Sequence, residues 1–510
     1  MILGIELGST RIKSVLIDNK ATVLCRGGYD WENSLTDDGL WTYSLDEAVH
    51  GLQESYRELA ENYRKQTGRE IESLDAIGIS AMMHGYLAFD GDDRLLAPFR
   101  TWRNTNTAKA SEILSERFQF HVPMRWSVSQ FYQSVLDGLD HVSRVAFMTT
   151  LSGYIHYLLT GKKVIGANDA SGMFPTLNGR FHPEYLASFQ ALLDEKEVKV
   201  DFASVLPKPL LAGEPAGVLT PEGAALLDPS GRLKAGIPLC PPEGDMGTGM
   251  IATACVSPGQ ANLSCGTSGN LTVVMEHPMQ HYYSEIDVVD SPNGHPSALI
   301  HANNCTTEIN AWVGLFEQVL RLFGHEATPT ELFAKLFSVS NGASADVGGI
   351  ASFNFTAGEP VVGVKDKCLL TTRAASALTL SDFMLSQIYA AIAPLAKSKE
   401  LLDREQVAIR YVTAHGGYFK NEDIGARAVS AMLGAPITVS TNAGEGGAWG
   451  IALLALYLFH ADRPLEDFLN EIFGEAEQTT VTASPEDTAR FANFMKSYDK
   501  ALSAVRSITD

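Results

Sequence analysis

With 510 residues the chain is too long for one core and should divide into two or more domains. Its 60 acidic against 39 basic residues give a formal net charge of -21, which argues against nucleic acid and anionic membrane as partners. A small phosphorylated ligand stays compatible, because the local field of a cleft can oppose the global charge. Six cysteines without CxxC spacing read as reduced thiols. The N-terminus lacks a basic segment followed by an apolar run, and the longest apolar stretches are too short to span a bilayer. A cytoplasmic protein is the expectation.

In chain order, "MILGIEL", "IKSVLID" and "ATVLCRGGYDW" read as three successive strands. The first carries Glu6, and the turn after it is Gly8-Ser9-Thr10, with Lys13 in the next strand. Backbone N–H groups and hydroxyls in such a turn suit a phosphate, with the acid holding a metal beside it. A capping box, Ser44 to Glu47, opens a helix through "DEAVHGLQESYRELAENYRKQTG". The strand "LDAIGIS" runs into the turn "AMMHG", which holds Met83 and His84, and then the strand "YLAFD". His84 reads either as a ligand-facing group or as a histidine bonded within a turn. In "FRTWRNTNT", Trp102 is a core aromatic or, beside Arg103, Asn104 and Asn106, the plate of a polyhydroxyl site. Helices are expected over "NTAKASEILSERF", "VSQFYQSVLDGL" and "VAFMTTLSGYIHYLLTG", then loops with one or two helices from "KVIGANDASGMFP" to about residue 240.

"PPEGDMGTGM" places Asp245 between glycine-flanked turns at the start of a helix. A carboxylate there can take a proton from an attacking hydroxyl, or simply serve as a helix N-cap. The opening layout then recurs: "GQANLSCGTSGNLTVVM" sets Gly266-Thr267-Ser268 between two apolar strands, as Gly8-Ser9-Thr10 is set. A helix "SDFMLSQIYAAIAPLAKSKELLD" comes next, then the strand "AIRYVTA" with Gly416, Gly417 and Asn421 after it. The helix "EDIGARAVSAMLG", a short strand "ITVS", and the buried helix in "NAGEGGAWGIALLALYLF" complete the chain. Alternating strands and helices argue an α/β class, and two halves that begin alike suggest a duplication with a cleft between. Each glycine segment alone reads as an ordinary turn; the set of them after strands points to a nucleotide. No Walker loop is present, "GTGMIA" lacks the preceding strand of a dinucleotide fingerprint, and no HExxH argues for zinc.

These segments, in this order and over essentially the whole chain, resemble the FGGY carbohydrate kinases. "GIELGSTRIKSVLID" resembles the family's first phosphate hairpin, "ISAMMHG" its sugar-binding turn, and "GDMGTGM" the segment with the catalytic aspartate. "SCGTSGN" is similar to the second phosphate hairpin, "AHGGYFKN" to the adenosine segment, and "GEGGAWGIALLA" to the late glycine-rich signature. The resemblance implies two RNase H-like domains of the actin/hexokinase type, at 1–256 (sugar side) and 257–510 (ATP side). It implies ATP and Mg²⁺ as cofactors and a ketose, pentulose or hexulose, as substrate, with no nucleic acid or membrane partner; a homodimer is left open. Asp245 is implied as base, with Met83, His84, Trp102 and Arg103 on the sugar. Gly8, Ser9, Thr10, Lys13, Gly266, Thr267, Ser268, Gly416, Gly417 and Asn421 are implied for ATP. Glu6 is implied for the metal. Glu6 stands where the family usually has Asp, Asn104 and Asn106 where relatives often have Asp and Arg, and Met246 where xylulokinase-like enzymes tend to have Asn. The alternative is a non-catalytic sugar or nucleotide sensor on the same fold.

Overall fold

The computed structural model describes residues 1–373, 378–419, 422–439, 446–474 and 479–509. Its first sheet is built from β1 (Ile2–Leu7), β2 (Arg11–Ile17), β3 (Val23–Asp30), β4 (Ala76–Ala81) and β5 (Glu243–Gly244), in the order β5-β4-β1-β2-β3. β1, β2 and β3 form an antiparallel meander, while β4 and β5 lie parallel to β1. The second sheet contains β6 (Gln260–Cys265), β7 (Gly269–Val274), β8 (Asp287–Asp290), β9 (Pro296–Ala302), β10 (Tyr411–His415), β11 (Ile437–Val439) and β12 (Thr479–Val481). Its order is β8-β9-β7-β6-β10-β11-β12. The stretch β9-β7-β6-β10-β11 repeats the pairing senses of β3-β2-β1-β4-β5, an antiparallel meander followed by two parallel neighbours. The duplication suggested by the two Gly-plus-hydroxyl turns is therefore a duplication of sheet topology, and the fold is the expected two-domain α/β architecture.

The long helix Leu45–Thr67 starts at Ser44, whose side chain accepts from the Glu47 N–H at 3.3 Å. The Glu47 carboxylate does not complete the expected box; it accepts from the Tyr29 hydroxyl at 2.6 Å, tying the helix to β3. The segment "VAFMTTLSGYIHYLLTG" is not one helix. Phe147–Thr149 is a strand paired with Leu87–Phe89, and the helix begins at Leu151 behind an N-capping Thr150. Cross-strand pairing outweighs helical periodicity there. The region from 164 to 240, expected to hold one or two helices, contains four: Ala167–Ser171, Pro183–Glu195, Phe202–Val205 and Pro221–Leu227. The expected long helix after residue 380 breaks into Leu380–Ala390 and Ala393–Arg404, because Pro394 has no N–H to continue the ladder.

The late helix Gly446–Tyr457 is apolar all round and almost wholly buried, as its sequence demands. It lies under the first sheet in one cluster with Ile2, Val15, Ala76 and Ile251, and the Trp449 indole N–H donates to the Ala21 carbonyl at 3.0 Å. Each fully buried Leu or Ile on it contributes about 1.5–3 kcal/mol. The chain thus closes its first core with residues from its far end. Among the described residues, no helix is long and apolar enough to cross a membrane.

Candidate active site

Parallel strands of a sheet deliver the turns at their carboxyl ends to one edge, and ligands of open α/β sheets gather there. Gly8 comes after β1, Met83 after β4 and Met82, and Asp245 after β5, so three separated motifs meet at the carboxyl edge of the first sheet. Gly266 comes after β6 and Gly416 after β10 at the matching edge of the second sheet.

Asp245 is the first residue of the helix Asp245–Ala252, behind Gly244 as N-cap, so the N-cap alternative is not its role. Its Oδ1 accepts from the backbone N–H of Met83 at 3.1 Å and of Met246 at 3.0 Å. The side chain is open to solvent, yet it sits deep among protein atoms at the floor of the edge. That depth, with the like charge of Glu6, pushes its carboxyl up to about 6, against the two N–H bonds that hold it down. A carboxylate so poised is ionised near neutrality and still basic enough to take a proton.

Glu6 lies directly opposite Lys13 on β2 and Ser80 on β4, so the three side chains share one face. Glu6 is buried, and burial raises its carboxyl despite the Lys13 ammonium 3.8 Å from Oε2. Among the described residues Oε2 has no hydrogen-bond partner, an orphaned acceptor inside protein. Gly447 makes this packing possible: a Cβ there would stand 2.4 Å from Glu6 Oε1 and 2.7 Å from Thr248 Oγ1. The late glycine signature, read as a further nucleotide segment, therefore supplies helix packing at Gly447, while positions 440–445 lie outside the described residues. Among the described residues no cluster of three or more His, Cys, Asp or Glu could cage a metal. One orphaned carboxylate oxygen fits Mg²⁺, which is commonly bound through one or two carboxylates plus substrate phosphates.

The turn at His84 is built, not incidental. His84 has φ +70° and Gly85 has φ +100°, a left-handed pair costing on the order of 1 kcal/mol at the non-glycine residue. The ring is buried, stacks on Trp126 at 6.4 Å, and its Nδ1 lies 3.2 Å from the Gly172 carbonyl. A carbonyl only accepts, so Nδ1 carries the proton and Nε2 is left as an acceptor. Burial and the Arg125 charge lower its pKa to about 3, so it stays neutral. Trp102 is 41 % exposed, and its indole N–H donates to Ser9 Oγ at 3.2 Å, joining the sugar-side segment to the first phosphate hairpin. The Arg103 guanidinium stacks on Trp41 at 3.8 Å. Asn104, expected to serve a polyhydroxyl ligand, is buried and structural: its amide bonds both the N–H and the carbonyl of Trp41 at 2.8 Å.

In the first hairpin the Gly8 and Ser9 carbonyls are tied down by Trp31 Nε1 at 2.7 Å and the Tyr43 hydroxyl at 2.6 Å, while Thr10 is exposed. The second hairpin is secured in the same manner. The Gly266 carbonyl accepts from Thr306 Oγ1 at 2.7 Å, the Thr267 carbonyl accepts from the Cys305 N–H at 2.9 Å, and the Thr267 side chain is exposed. In both hairpins two successive turn carbonyls are engaged by donors from elsewhere in the protein. Gly416, at φ +111°, passes so close to Cys265 that a Cβ would stand 2.2 Å from its carbonyl oxygen. Ser268 is half-buried, and among the described residues no atom would meet a Cβ at Gly417. Asn421 lies outside the described residues.

Sequence reasoning missed two buried acids beneath Asp245. Glu243 accepts from the Asp169 N–H at 3.1 Å, and Asp169 Oδ2 accepts from the hydroxyls of Thr150, at 2.6 Å, and Ser152. Burial lifts both: Glu243 goes well above the usual carboxylate range and Asp169 to about 7. The like charge of Asp245 adds to the rise at Asp169. The only signal was the pairing of "PPEGD" with the acid in "GANDASG", and nothing in the spacing said that they meet. The folded chain holds a proton on Asp169 that the unfolded chain releases, so this site's contribution to stability falls as pH rises through about 7. Asp169→Asn should raise the melting temperature relative to wild type, by a margin that widens from about pH 5.5 to about pH 8.5. A pH-independent margin in thermal melts would assign the effect to packing.

Residues 1–251 match the N-terminal domain, and residues 261–459 the C-terminal domain, of the FGGY family of carbohydrate kinases. The xylulose kinase of Haemophilus influenzae is 25 % identical over 295 residues, covering 55 % of this chain and 57 % of that protein. The xylulose kinase of Escherichia coli is 22 % identical over 299 residues, 54 % of each. The chain thus spans a little over half the length of the curated relatives it matches. Among solved structures, the xylulose kinase of Rhodospirillum rubrum superposes with a TM-score of 0.80 at 15 % identity, over 100 % of this chain and 99 % of that one. The gluconate kinase of Lactobacillus acidophilus gives 0.77 at 18 %, over 100 % and 98 %. These likenesses establish the fold. The chain belongs to the FGGY family of carbohydrate kinases.

Proposed function

We propose that this member of the FGGY family transfers the γ-phosphoryl group of ATP to a hydroxyl of a ketose, a pentulose or hexulose. The observation that carries the reading is Asp245: a solvent-open carboxylate at a helix start, beside Glu6 and pushed up to about 6. In the reaction the sugar hydroxyl gives its proton to Asp245 as its oxygen attacks phosphorus. Met83 holds the carboxylate through its backbone N–H, so the acceptor oxygen is aimed before substrate arrives. Neutral His84 accepts from a sugar hydroxyl at Nε2, Trp102 offers its exposed face to the sugar's apolar side, and Arg103 donates at the rim.

Gly8, Ser9, Thr10 and Lys13 from the first half, and Gly266, Thr267, Ser268, Gly416, Gly417 and Asn421 from the second, bind ATP. Exposed Thr10 and Thr267 hydroxyls, on hairpins whose carbonyls are tied back, leave N–H and O–H groups for phosphate. When bound beside Glu6, Mg²⁺ supplies positive charge against the transferred phosphoryl oxygens. Closure of the halves excludes water, which otherwise would accept the phosphoryl group.

An ADP-release assay across pentuloses and hexuloses tests the reading, with xylulose and gluconate included because similar proteins carry those names. Stoichiometric ADP with one ketose is expected; binding of sugar or nucleotide without any turnover would replace the kinase with a sensor. For the sugar face, His84→Ala and Trp102→Ala should each raise KM for the sugar about tenfold, the worth of one lost hydrogen bond or stack. KM for ATP should stay within about threefold, roughly 0.65 kcal/mol. Variants that weaken ATP and spare the sugar would reverse the assignment of the two sides.

A further inference from the structure

The backbone that carries Asp245 is gripped on both sides by one short segment. Before it, the Gly166 N–H donates to the Pro242 carbonyl at 2.7 Å, and the Asp169 N–H to the Glu243 carboxylate at 3.1 Å. After it, the Gly247 N–H donates to Asn168 Oδ1 at 2.8 Å. Gly247 is the third residue of the base's helix, and its N–H is among those that no intrahelical carbonyl satisfies. An N-cap side chain normally takes that N–H. Here the N-cap is Gly244, which has no side chain, and a Cβ there would crowd Met83 Cγ at 2.9 Å. Asn168 does the capping from a different part of the chain.

The other end of the same amide is also used. Asn168 Nδ2 donates to the carbonyl of Asp290, on edge strand β8 of the second sheet, at 2.7 Å. The Asp290 N–H donates to Ser171 Oγ at 2.9 Å. Asn168 is fully buried, so both bonds form away from competing water. Its contact with the helix is close: a Cβ at Gly247 would stand 2.7 Å from Asn168 Oδ1 and 2.8 Å from its Cβ and Cγ.

We propose that Asn168 is a positioning residue for Asp245. It caps the base's helix from outside and sets that helix's depth against strand Asp287–Asp290 of the second half. The inference rests on the kinase reading above. Ser171 shares the tie to Asp290, and its Oγ also donates to the Asn168 carbonyl at 2.6 Å, but among the described residues it makes no hydrogen bond to the base's helix, so its loss reports on the stability of the segment rather than on the cap.

Steady-state kinetics on the full chain, with the ketose that wild type turns over, test it. Asn168→Ala should lower kcat roughly 10- to 100-fold, the cost of displacing a catalytic group by about 1 Å, with both KM values within about threefold. Ser171→Ala should lower the melting temperature and keep kcat within about threefold. Gly247→Ala pushes on the same contact from the helix side and should lose kcat alike. The Asn168→Gly/Gly247→Ala double variant, in which the Oδ1, Cγ and Cβ that the new methyl would meet are all removed, should keep more activity than the product of the Asn168→Gly and Gly247→Ala losses. An Asn168→Ala kcat within threefold of wild type overturns the proposal, as does an equal loss in Ser171→Ala or a strictly multiplicative double variant. If Asn168→Ala does not fold, Gly247→Ala decides, and an unchanged kcat there overturns the proposal. No sugar-dependent turnover by wild type removes the kinase reading and this inference with it. Turnover that Asn168→Ala retains removes this inference alone.

Discussion

Asp245→Asn is expected to lower kcat by roughly 10²–10⁴ while both KM values stay within about threefold. The amide keeps the shape of the carboxylate, and its oxygen can still accept from the Met83 and Met246 N–H groups, so the helix start remains in place. What it loses is the capacity to take a proton from the attacking hydroxyl. Wild type should show the same dependence through pH. Asp245 is pushed up to about 6 and the proposed base acts in its ionised form, so kcat should fall on the acid side below about pH 6, tenfold for each further unit. The limb runs in that direction because protonation removes the acceptor. Initial rates across pH, with saturating sugar and ATP, check both statements. A variant retaining kcat within threefold would leave the proton acceptor to another group.

Glu6→Gln carries the second large effect. The orphaned Oε2 is replaced by an amide that cannot neutralise a cation, and Lys13 at 3.8 Å loses its partner. Glutamate reaches about 1.5 Å further than the family's usual aspartate. Mg²⁺ gives up water reluctantly and takes few protein ligands, so Glu6 would hold it through its charge, in contact or across a water. Glu6→Gln should raise the half-saturating Mg²⁺ and lower kcat, together roughly 10- to 100-fold, the usual cost of removing an outer-shell partner of a metal. Glu6→Asp should keep kcat within about tenfold, since the charge remains and a water spans the shorter reach. Titrating Mg²⁺ against initial rate decides it: unchanged half-saturation and kcat in Glu6→Gln would leave Glu6 as a packing residue against Gly447. A thermal melt of the same variant without ligands separates the roles. Removing a buried carboxylate whose pKa is raised should not destabilise the chain above neutral pH.

Local pattern alone determined the elements and the motifs. β1 and β2 with the Gly8-Ser9-Thr10 turn, their repeat around Gly266, and Asp245 at a helix start depend on periodicity and turn chemistry within a few residues. The burial of Gly446–Tyr457 was equally legible, since a helix apolar on every side has no face to give to water. Local pattern failed where a distant partner outweighed it. Phe147–Thr149 became a strand because Leu87–Phe89 offers a ladder, and Glu47 left its capping box for Tyr29. Asn104 reads as a sugar ligand by composition, yet it clamps the backbone of Trp41. Only tertiary structure could show that the helix near residue 450 closes the first core, and that Gly447 is small because Glu6 lies against it. Only it could bring Glu243 and Asp169 together beneath Asp245, or bond Asn168 to Gly247, 79 residues on. Such contacts carry no sequence signature, because they depend on which edges and faces the folded sheets bring within a few ångströms.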